Sequence, residues 1–217
     1  MAAERRPYDR FKRVLDVLVA GLLLVVLSPV LLGVAVAVAL VMGRPVLFRQ
    51  ARPGRNGKCF ELRKFRSMHP VTQARVTDRE RLTRLGIWLR QTSLDELPTI
   101  WNVLRGDMSL VGPRPLLVSY LDRYTPEQAR RHEVRPGITG LAQVRGRNAL
   151  SWQEKFAYDV QYVDGRCLRL DLSILLETVV KVLRRDGITA DGHATASEFL
   201  GSQPSPAAVT SPGRHRA

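Results

Sequence analysis

Cysteine is nearly absent: Cys59 and Cys167 are the two in 217 residues, far apart in sequence, and the four histidines His69, His132, His193 and His215 are equally scattered. None of them falls at metal-ligand spacing, so neither a zinc site nor a thiol-based centre is expected. A reducing, cytoplasmic compartment is the simplest fit, with both thiols expected as small core residues. Lysine is scarce as well, with 5 lysines among 34 basic residues against 20 acidic ones, a formal charge of +14. Arginine's planar fork holds phosphate in two-point contacts, so this bias suits an anionic partner: a nucleotide, a lipid head group or a nucleic acid. The excess alone does not choose among them, and genome composition also enriches arginine. Internal repeats are missing, and so is any helix-turn-helix, zinc-finger or RNA-binding signature, so nucleic acid is not an expected partner.

Charge is what is missing from Val14 to Met42, where Asp16 alone interrupts an apolar run longer than the ~20 residues a helix needs to cross a bilayer. No small-residue cleavage site with a polar start follows, which argues against a signal peptide. Ser28-Pro29 stands at the centre, and a proline inside a helix removes a hydrogen bond and bends the chain. Arg5, Arg6, Arg10, Lys12 and Arg13 precede the run, and Arg44, Arg49, Arg52, Arg55 and Lys58 follow it. A spanning helix keeps its positive excess on one side, whereas here both flanks are basic. The expectation is a re-entrant helix, kinked at Ser28 and Pro29, returning both flanks to one anionic surface, with the Ser28 hydroxyl satisfying a freed carbonyl. A single kinked transmembrane helix is the alternative.

The remainder reads as α+β and mostly helical. "PVLFRQ" and "KCFELRKF" predict a small β-hairpin turning at Asn56-Gly57. "HPVTQARVTDRE" reads as a loop or short helix. "RLTRLGIWLRQ" has helical spacing in Leu82, Leu85, Trp88 and Leu89, and Leu97, Ile100, Trp101 and Leu104 form one face of a helix stopped by Gly106. "SLVGPRPL" is expected to be a fixed loop, and "RPGITGLAQVRGRN" a glycine-punctuated loop or strand pair carrying Arg135, Arg145 and Arg147. Thr125/Gln128 and Ser151/Glu154 are capping boxes that start helices. "LRLDLSILLETVVKVLRR" predicts a long amphipathic helix suited to a membrane surface. The expected organisation is a basic segment over 1–13, the re-entrant helix over 14–42, a cytoplasmic catalytic domain over 43–188 and a disordered tail over 189–217.

The chemistry-bearing stretch is "TSLDELPTIWNVLRGDMSLVGPRP", Thr92 to Pro115. Its adjacent acids Asp95 and Glu96 have a plain structural explanation, because Ser93 and Glu96 match a capping box and helix N-termini favour acids. A cap leaves Asp95 without a task. The functional alternative is a carboxylate nucleophile beside a second carboxylate that helps to hold a divalent cation, with Arg90 keeping Asp95 ionised and Arg114 taking a phosphate.

That stretch resembles the core signature of the bacterial sugar transferase family, the monotopic phosphoglycosyl transferases. The resemblance continues through "KRVLDVLVAGLLLVVLSPVLL", "LFRQARPGRNGKCFELRKFRSM", "RPGITGLAQVRGRN", "KFAYDVQYV" and "LRLDLSILLETVVKVL", over about residues 10 to 188. It implies a membrane enzyme on the cytoplasmic face of the inner membrane. The implied reaction moves a sugar 1-phosphate from a UDP-sugar to a polyprenyl phosphate, usually undecaprenyl phosphate, releasing UMP, as a first membrane step of polysaccharide assembly. By the same resemblance Asp95 is the nucleophile, Glu96 its acidic partner, and Mg²⁺ binds at the pair. Arg90 and Arg114 match phosphate-binding positions; Lys64, Arg66 and Asp159 match recurrent positions, with Arg145 and Arg147 as further candidates. Arg145 stands where asparagine is frequent, and Cys167 lies in a segment where an aromatic is frequent, which leaves the sugar open. The resemblance also leaves room for a homodimer, and the lack of further membrane helices ahead of residue 10 suggests a minimal catalytic form. Rival readings are a membrane-tethered anion binder and a scaffold without catalysis.

Overall fold

The structure, a computed structural model, describes residues 7–70, 72, 77–146, 149–184 and 198–201. The apolar run forms two helices, α1 (Pro7–Val26) and α2 (Ser28–Met42), bent by 62° at the break. The proline stands in the first turn of α2, where its missing N–H has no helical partner to lose. The carbonyl left without a donor by Pro29 is that of Val25, and the Ser28 hydroxyl donates to it at 2.7 Å. Among the described residues no single helix is long and apolar enough to cross a membrane, but the bent pair together has the length and composition of a broken span or a re-entrant hairpin.

α1 begins at Pro7, ahead of the expected start at Val14, and its two halves have different surroundings. The first half is docked on the rest of the chain. Tyr8 and Lys12 donate to Asp171 at 2.6 and 2.5 Å, Arg13 donates to the carbonyls of Val103 and Leu104, and buried Asp16 accepts the Leu110 N–H at 3.1 Å. Asp16, the one charge of the apolar run, is therefore a docking group. Beyond Ala20 many apolar side chains are exposed, among them Leu22, Val25, Val26, Leu32 and Leu40, while Val34, Val38 and Met42 stay buried.

Strands β1 (Leu47–Pro53) and β2 (Cys59–Phe65) pair antiparallel, Leu47 opposite Phe65 and Pro53 opposite Cys59, and turn through Asn56 and Gly57 in left-handed backbone as the sequence predicts. α3 (Asp78–Arg81) and α4 (Arg84–Gln91) follow. α4 packs so closely on Ser67 that a Cβ on Gly86 would lie 1.8 Å from the Ser67 carbonyl oxygen. α5 (Thr99–Arg105) ends at Gly106 (φ +95°), the expected stop. Buried Ile100 and Val103 of α5 pack with Ala20 of α1 and Leu62 of β2, while Val34 and Val38 of α2 pack with Phe65 and Leu89. The two helices of the apolar run thus pack on neighbouring positions of β2, α1 at Leu62 and α2 at Phe65.

"SLVGPRPL" does not stay irregular: Ser109–Val111 forms β3, parallel to β4 (Gly137–Thr139). Three residues without alternating hydrophobicity carry no strand signal, and the pairing depends on close approach, since a Cβ on Gly137 would fall 2.1 Å from the Gly112 nitrogen. α6 (Pro126–Ala129) and α8 (Trp152–Gly165) start with the expected capping boxes at Thr125 and Ser151. α7 (Leu141–Arg145) lies between β4 and α8, and α9 (Leu168–Arg184) is the predicted long helix. Val111, Leu141, Val144, Tyr162 and Ile174 form the core that joins them.

Three packing expectations are corrected. Cys59 and Cys167 are exposed, not core: Cys59 closes the hairpin at its turn end, and Cys167 precedes α9. Trp88 and Trp101 stand outward, 47% and 43% exposed, because Leu89, Ile100 and Val103 take the inward positions of their short helices. Within the tail expected to be disordered, Phe199 is buried in an aromatic cluster with Tyr120 and Phe156. The other tail positions lie outside the described residues, apart from Glu198, Leu200 and Gly201.

Candidate active site

α4 ends at Thr92, and Ser93 then takes left-handed backbone (φ 57°, ψ 16°), which turns the chain into a short 3-10 turn over Leu94–Glu96 before α5. A left-handed non-glycine residue is a local strain that the surroundings must hold. Here Ser93 N–H bonds the Arg90 carbonyl, Glu96 N–H bonds the Ser93 carbonyl, and the Thr99 hydroxyl donates to the Glu96 carbonyl at 2.5 Å. Asp95 and Glu96 therefore lie on a turn fixed at both ends, between two packed helices.

The Ser93 side chain caps nothing. Glu96 sends its carboxylate away from the backbone to Lys64 of β2 (2.5 Å) and Arg114 of the loop after β3 (2.8 Å), both on Oε1. The capping-box explanation of the pair is thereby set aside by geometry. Burial alone would raise the Glu96 carboxyl, but the charges of Arg114 and Lys64 outweigh it and hold it well below the usual carboxylate range. Asp95 behaves in the opposite sense. Burial first, and then the Glu96 charge, push its carboxyl up to about 6 against the pull of Lys64, Arg114 and Arg90. Arg90 does pull the Asp95 carboxyl down, as expected, but burial and the neighbouring acid outweigh it. Among the described residues the Asp95 carboxylate has no hydrogen-bond or ion-pair partner, and its residue is only partly buried.

The remaining predicted residues divide. Arg90, at the end of α4, donates from Nε to the Ser67 hydroxyl at 3.0 Å and from Nη2 to the Met68 sulfur, close enough to Asp95 to act on its charge. Arg66 is elsewhere: its guanidinium donates to the carbonyls of Met42 and Gly43 and so caps the end of α2, outside the acidic pair. Arg145 ends α7 and faces Glu177 of α9 at 3.6 Å, apart from the pair. Arg147 lies outside the described residues. Asp159 is buried in α8 and binds Arg131, whose Nη2 donates to the Arg114 carbonyl at 2.7 Å.

Two contributors escaped the sequence reading. Arg131 is one; its only signal was a basic residue in a polar segment. Asn102 is the other: it ties α5 to β2 by donating to the Glu61 carbonyl at 2.7 Å and accepting the Arg63 N–H at 3.2 Å, which holds Lys64 in register beside Glu96. An asparagine mid-helix reads as a surface residue until its burial is seen.

No group of three or more metal-ligating side chains occurs among the described residues. The donor set nonetheless suits a magnesium ion, which takes hard oxygen from one or two carboxylates and completes its shell with water and substrate phosphate. Both Asp95 oxygens and Oε2 of Glu96 are left without protein partners among the described residues, while Oε1 of Glu96 is committed to Lys64 and Arg114. A half-open acidic pair ringed by Lys64, Arg90 and Arg114 can take up a phosphate-bearing ligand, balance its charge and present one carboxylate to phosphorus.

The bacterial sugar transferase family model matches residues 7–185. The chain is 52% identical over 194 residues to the uncharacterized sugar transferase EpsL of Bacillus subtilis, covering 88% of this chain and 96% of that one. It is 45% identical over 192 residues to the UDP-glucose:undecaprenyl-phosphate glucose-1-phosphate transferase of Caulobacter vibrioides, covering 82% and 72%. The undecaprenyl-phosphate galactose phosphotransferase of Salmonella typhimurium is 37% identical over 196 residues, covering 81% and 41%. The chain belongs to the bacterial sugar transferase family and is a transferase enzyme.

Proposed function

We propose that the protein transfers a sugar 1-phosphate from a UDP-sugar to a polyprenyl phosphate such as undecaprenyl phosphate, with Asp95 as nucleophile. The observation that carries this is the asymmetry of the pair: Glu96 is neutralised by Lys64 and Arg114, while Asp95 beside it stays free of protein partners among the described residues. The names of the Caulobacter and Salmonella relatives supply the donor and acceptor classes.

In the first step an Asp95 carboxylate oxygen attacks the phosphorus attached to the sugar, the bond to the bridging oxygen breaks, and UMP leaves with the electron pair. In the second, an oxygen of the polyprenyl phosphate attacks the same phosphorus and expels the Asp95 carboxylate, giving a polyprenyl diphosphosugar. Both steps conserve charge without proton transfer, which suits a carboxylate that needs no general base. Arg114 and Lys64 hold Glu96 and face the phosphate charge, and Arg90 adds positive potential. Asp95 and Glu96 would hold Mg²⁺, which supplies charge neutralisation at the diphosphate when bound.

The water-soluble donor and the lipid acceptor meet where α1 and α2 leave the catalytic part. The 62° bend, the exposed apolar residues beyond Ala20 and the basic residues at both ends support a re-entrant hairpin in the cytoplasmic leaflet of the inner membrane, with the catalytic part in the cytoplasm. The test of topology is labelling of Arg10→Cys and Arg44→Cys in a Cys59→Ser, Cys167→Ser background. Reaction of both from the same side is expected; reaction from opposite sides means a spanning helix.

The reaction is tested by UMP release from a UDP-sugar panel with undecaprenyl phosphate and Mg²⁺. Wild type is expected to release UMP and form lipid-linked diphosphosugar, and Asp95→Asn to do neither. Full activity in Asp95→Asn would overturn the assignment of the nucleophile.

A further inference from the structure

Arg114 works from an unusual position. Pro113 and Pro115 flank it, neither able to donate a backbone hydrogen bond, so the loop leans on its carbonyls. The Pro113 carbonyl accepts the Gly137 N–H at 3.0 Å, and the Arg114 carbonyl accepts Nη2 of Arg131 at 2.7 Å. Arg131 cannot itself meet substrate: its side chain is 2% exposed. Its remaining donors are spent inside, Nε on Asp159 at 3.0 Å and Nη1 on the Tyr124 hydroxyl at 3.0 Å. The guanidinium also stands over the rings of Tyr124 and Phe156, 5.6 and 5.5 Å from their centroids.

The same two rings carry the end of the described chain. Phe199 stacks on Tyr124 (5.8 Å), meets Phe156 edge-on (4.9 Å) and touches Trp152 and Tyr120. Its backbone is fastened as well: Phe199 N–H donates to the Tyr120 hydroxyl at 3.1 Å, and Arg123 donates to Glu198 and to the Phe199 carbonyl. An aromatic plug from the C-terminal segment thus closes a cage around an arginine whose Nη2, paired with Asp159 at 2.8 Å, also supports the loop of Arg114.

The geometry points to Arg131 as a positioning residue for the reaction: locked by Asp159, Tyr124 and Phe156 and plugged by Phe199, it holds the Arg114 backbone so that the Arg114 fork meets Glu96 and the substrate phosphate. This inference rests on the transferase reaction proposed above. It assigns the C-terminal segment a part in catalysis although no residue after 184 approaches the acidic pair among those described. Small displacements of a charge-clamping residue carry large rate effects, since misplacement by about 1 Å costs on the order of a hundred-fold.

The test is a double-mutant cycle on kcat/KM for UMP release, with Arg131→Lys and Phe199→Ala each combined with Arg114→Ala. Each single variant is expected to lose on the order of ten-fold, chiefly in kcat, and to lose little further in the Arg114→Ala background, because the part it positions is gone. Phe199→Leu, which keeps an apolar plug, is expected to recover most of the loss. Losses that multiply in full with Arg114→Ala, or single variants that lower melting temperature but leave kcat/KM unchanged, would overturn the positioning role. If Arg131→Lys fails to fold, the Phe199 arm of the cycle decides alone. Wild-type turnover reports on the reaction separately. The same cycle read as equilibrium binding of UMP with Mg²⁺ tests the positioning even where turnover is absent, and full additivity there counts against it.

Discussion

The centre at Glu96 and the centre at Asp159 are built from the same parts, a carboxylate and arginine, in opposite surroundings. At Glu96 one carboxylate oxygen serves Lys64 and an Arg114 side chain that is 48% exposed, and a second acid, Asp95, stands beside it. At Asp159 the acid and Arg131 are 5% and 2% exposed, and aromatic rings cover them. The open centre leaves cation, acid and lone pairs in reach of a ligand. The closed one spends its donors on protein and can act only through what it holds. The two are 45 residues apart at Arg114 and Asp159 by number, yet they meet through one carbonyl, that of Arg114.

Substitutions should separate these roles. The largest effect is expected for Asp95→Asn, which keeps shape and removes the attacking charge: UMP release should fall by about ten-thousand-fold or more, with the melting temperature held, as followed by coupled assay and calorimetry. Asp159→Ala should act on stability instead. It leaves Arg131 buried without its counter-charge, a loss of about 3–5 kcal/mol readable by denaturant unfolding. Glu96→Gln, which releases Lys64 and Arg114 from their shared partner, should cost on the order of a hundred-fold in kcat with a smaller change in stability. A large loss of stability in Glu96→Gln together with a small one in Asp159→Ala would erase the contrast between the centres.

The smallest effect concerns pH. Burial, aided by the Arg131 charge, lowers the His132 imidazole to about 4 while its Nδ1 lies 3.3 Å from the Gly54 carbonyl. Between the ordinary histidine value near 6.5 and about 4, the unfolded chain takes the proton first, so stability present above pH 6.5 is lost as pH falls through that window. His132→Gln should flatten the slope of melting temperature against pH over the same range.

Much of the scaffold was legible because local rules govern it. The hairpin turn at Asn56-Gly57, the capping boxes at Thr125 and Ser151, the stop at Gly106 and the break at Ser28-Pro29 each depend on residues within four positions, and each appears where the sequence put it. The acidic pair stood out, but residue chemistry alone left a cap as its explanation. Only the reach of Glu96 to Lys64 and Arg114, across 32 and 18 residues, removes it. What was not legible depends on where long side chains turn. Arg66 follows Lys64 by two positions and shares its chemistry, yet caps α2. Arg131 and Asn102 are polar residues whose burial follows from packing partners distant in sequence. Trp88 and Trp101 fit the helical period but lie on helices of eight and seven residues, too short to bury a full apolar stripe.

The central claim is that Asp95 carries the phosphosugar. The most direct test is mass spectrometry of the protein mixed with its UDP-sugar and Mg²⁺ in the absence of polyprenyl phosphate. A mass gain of one sugar phosphate is predicted, located on the peptide containing Asp95 and absent from Asp95→Asn. UMP release that requires the lipid acceptor, with no adduct at any residue, would contradict the covalent route and place the transfer in a single direct step.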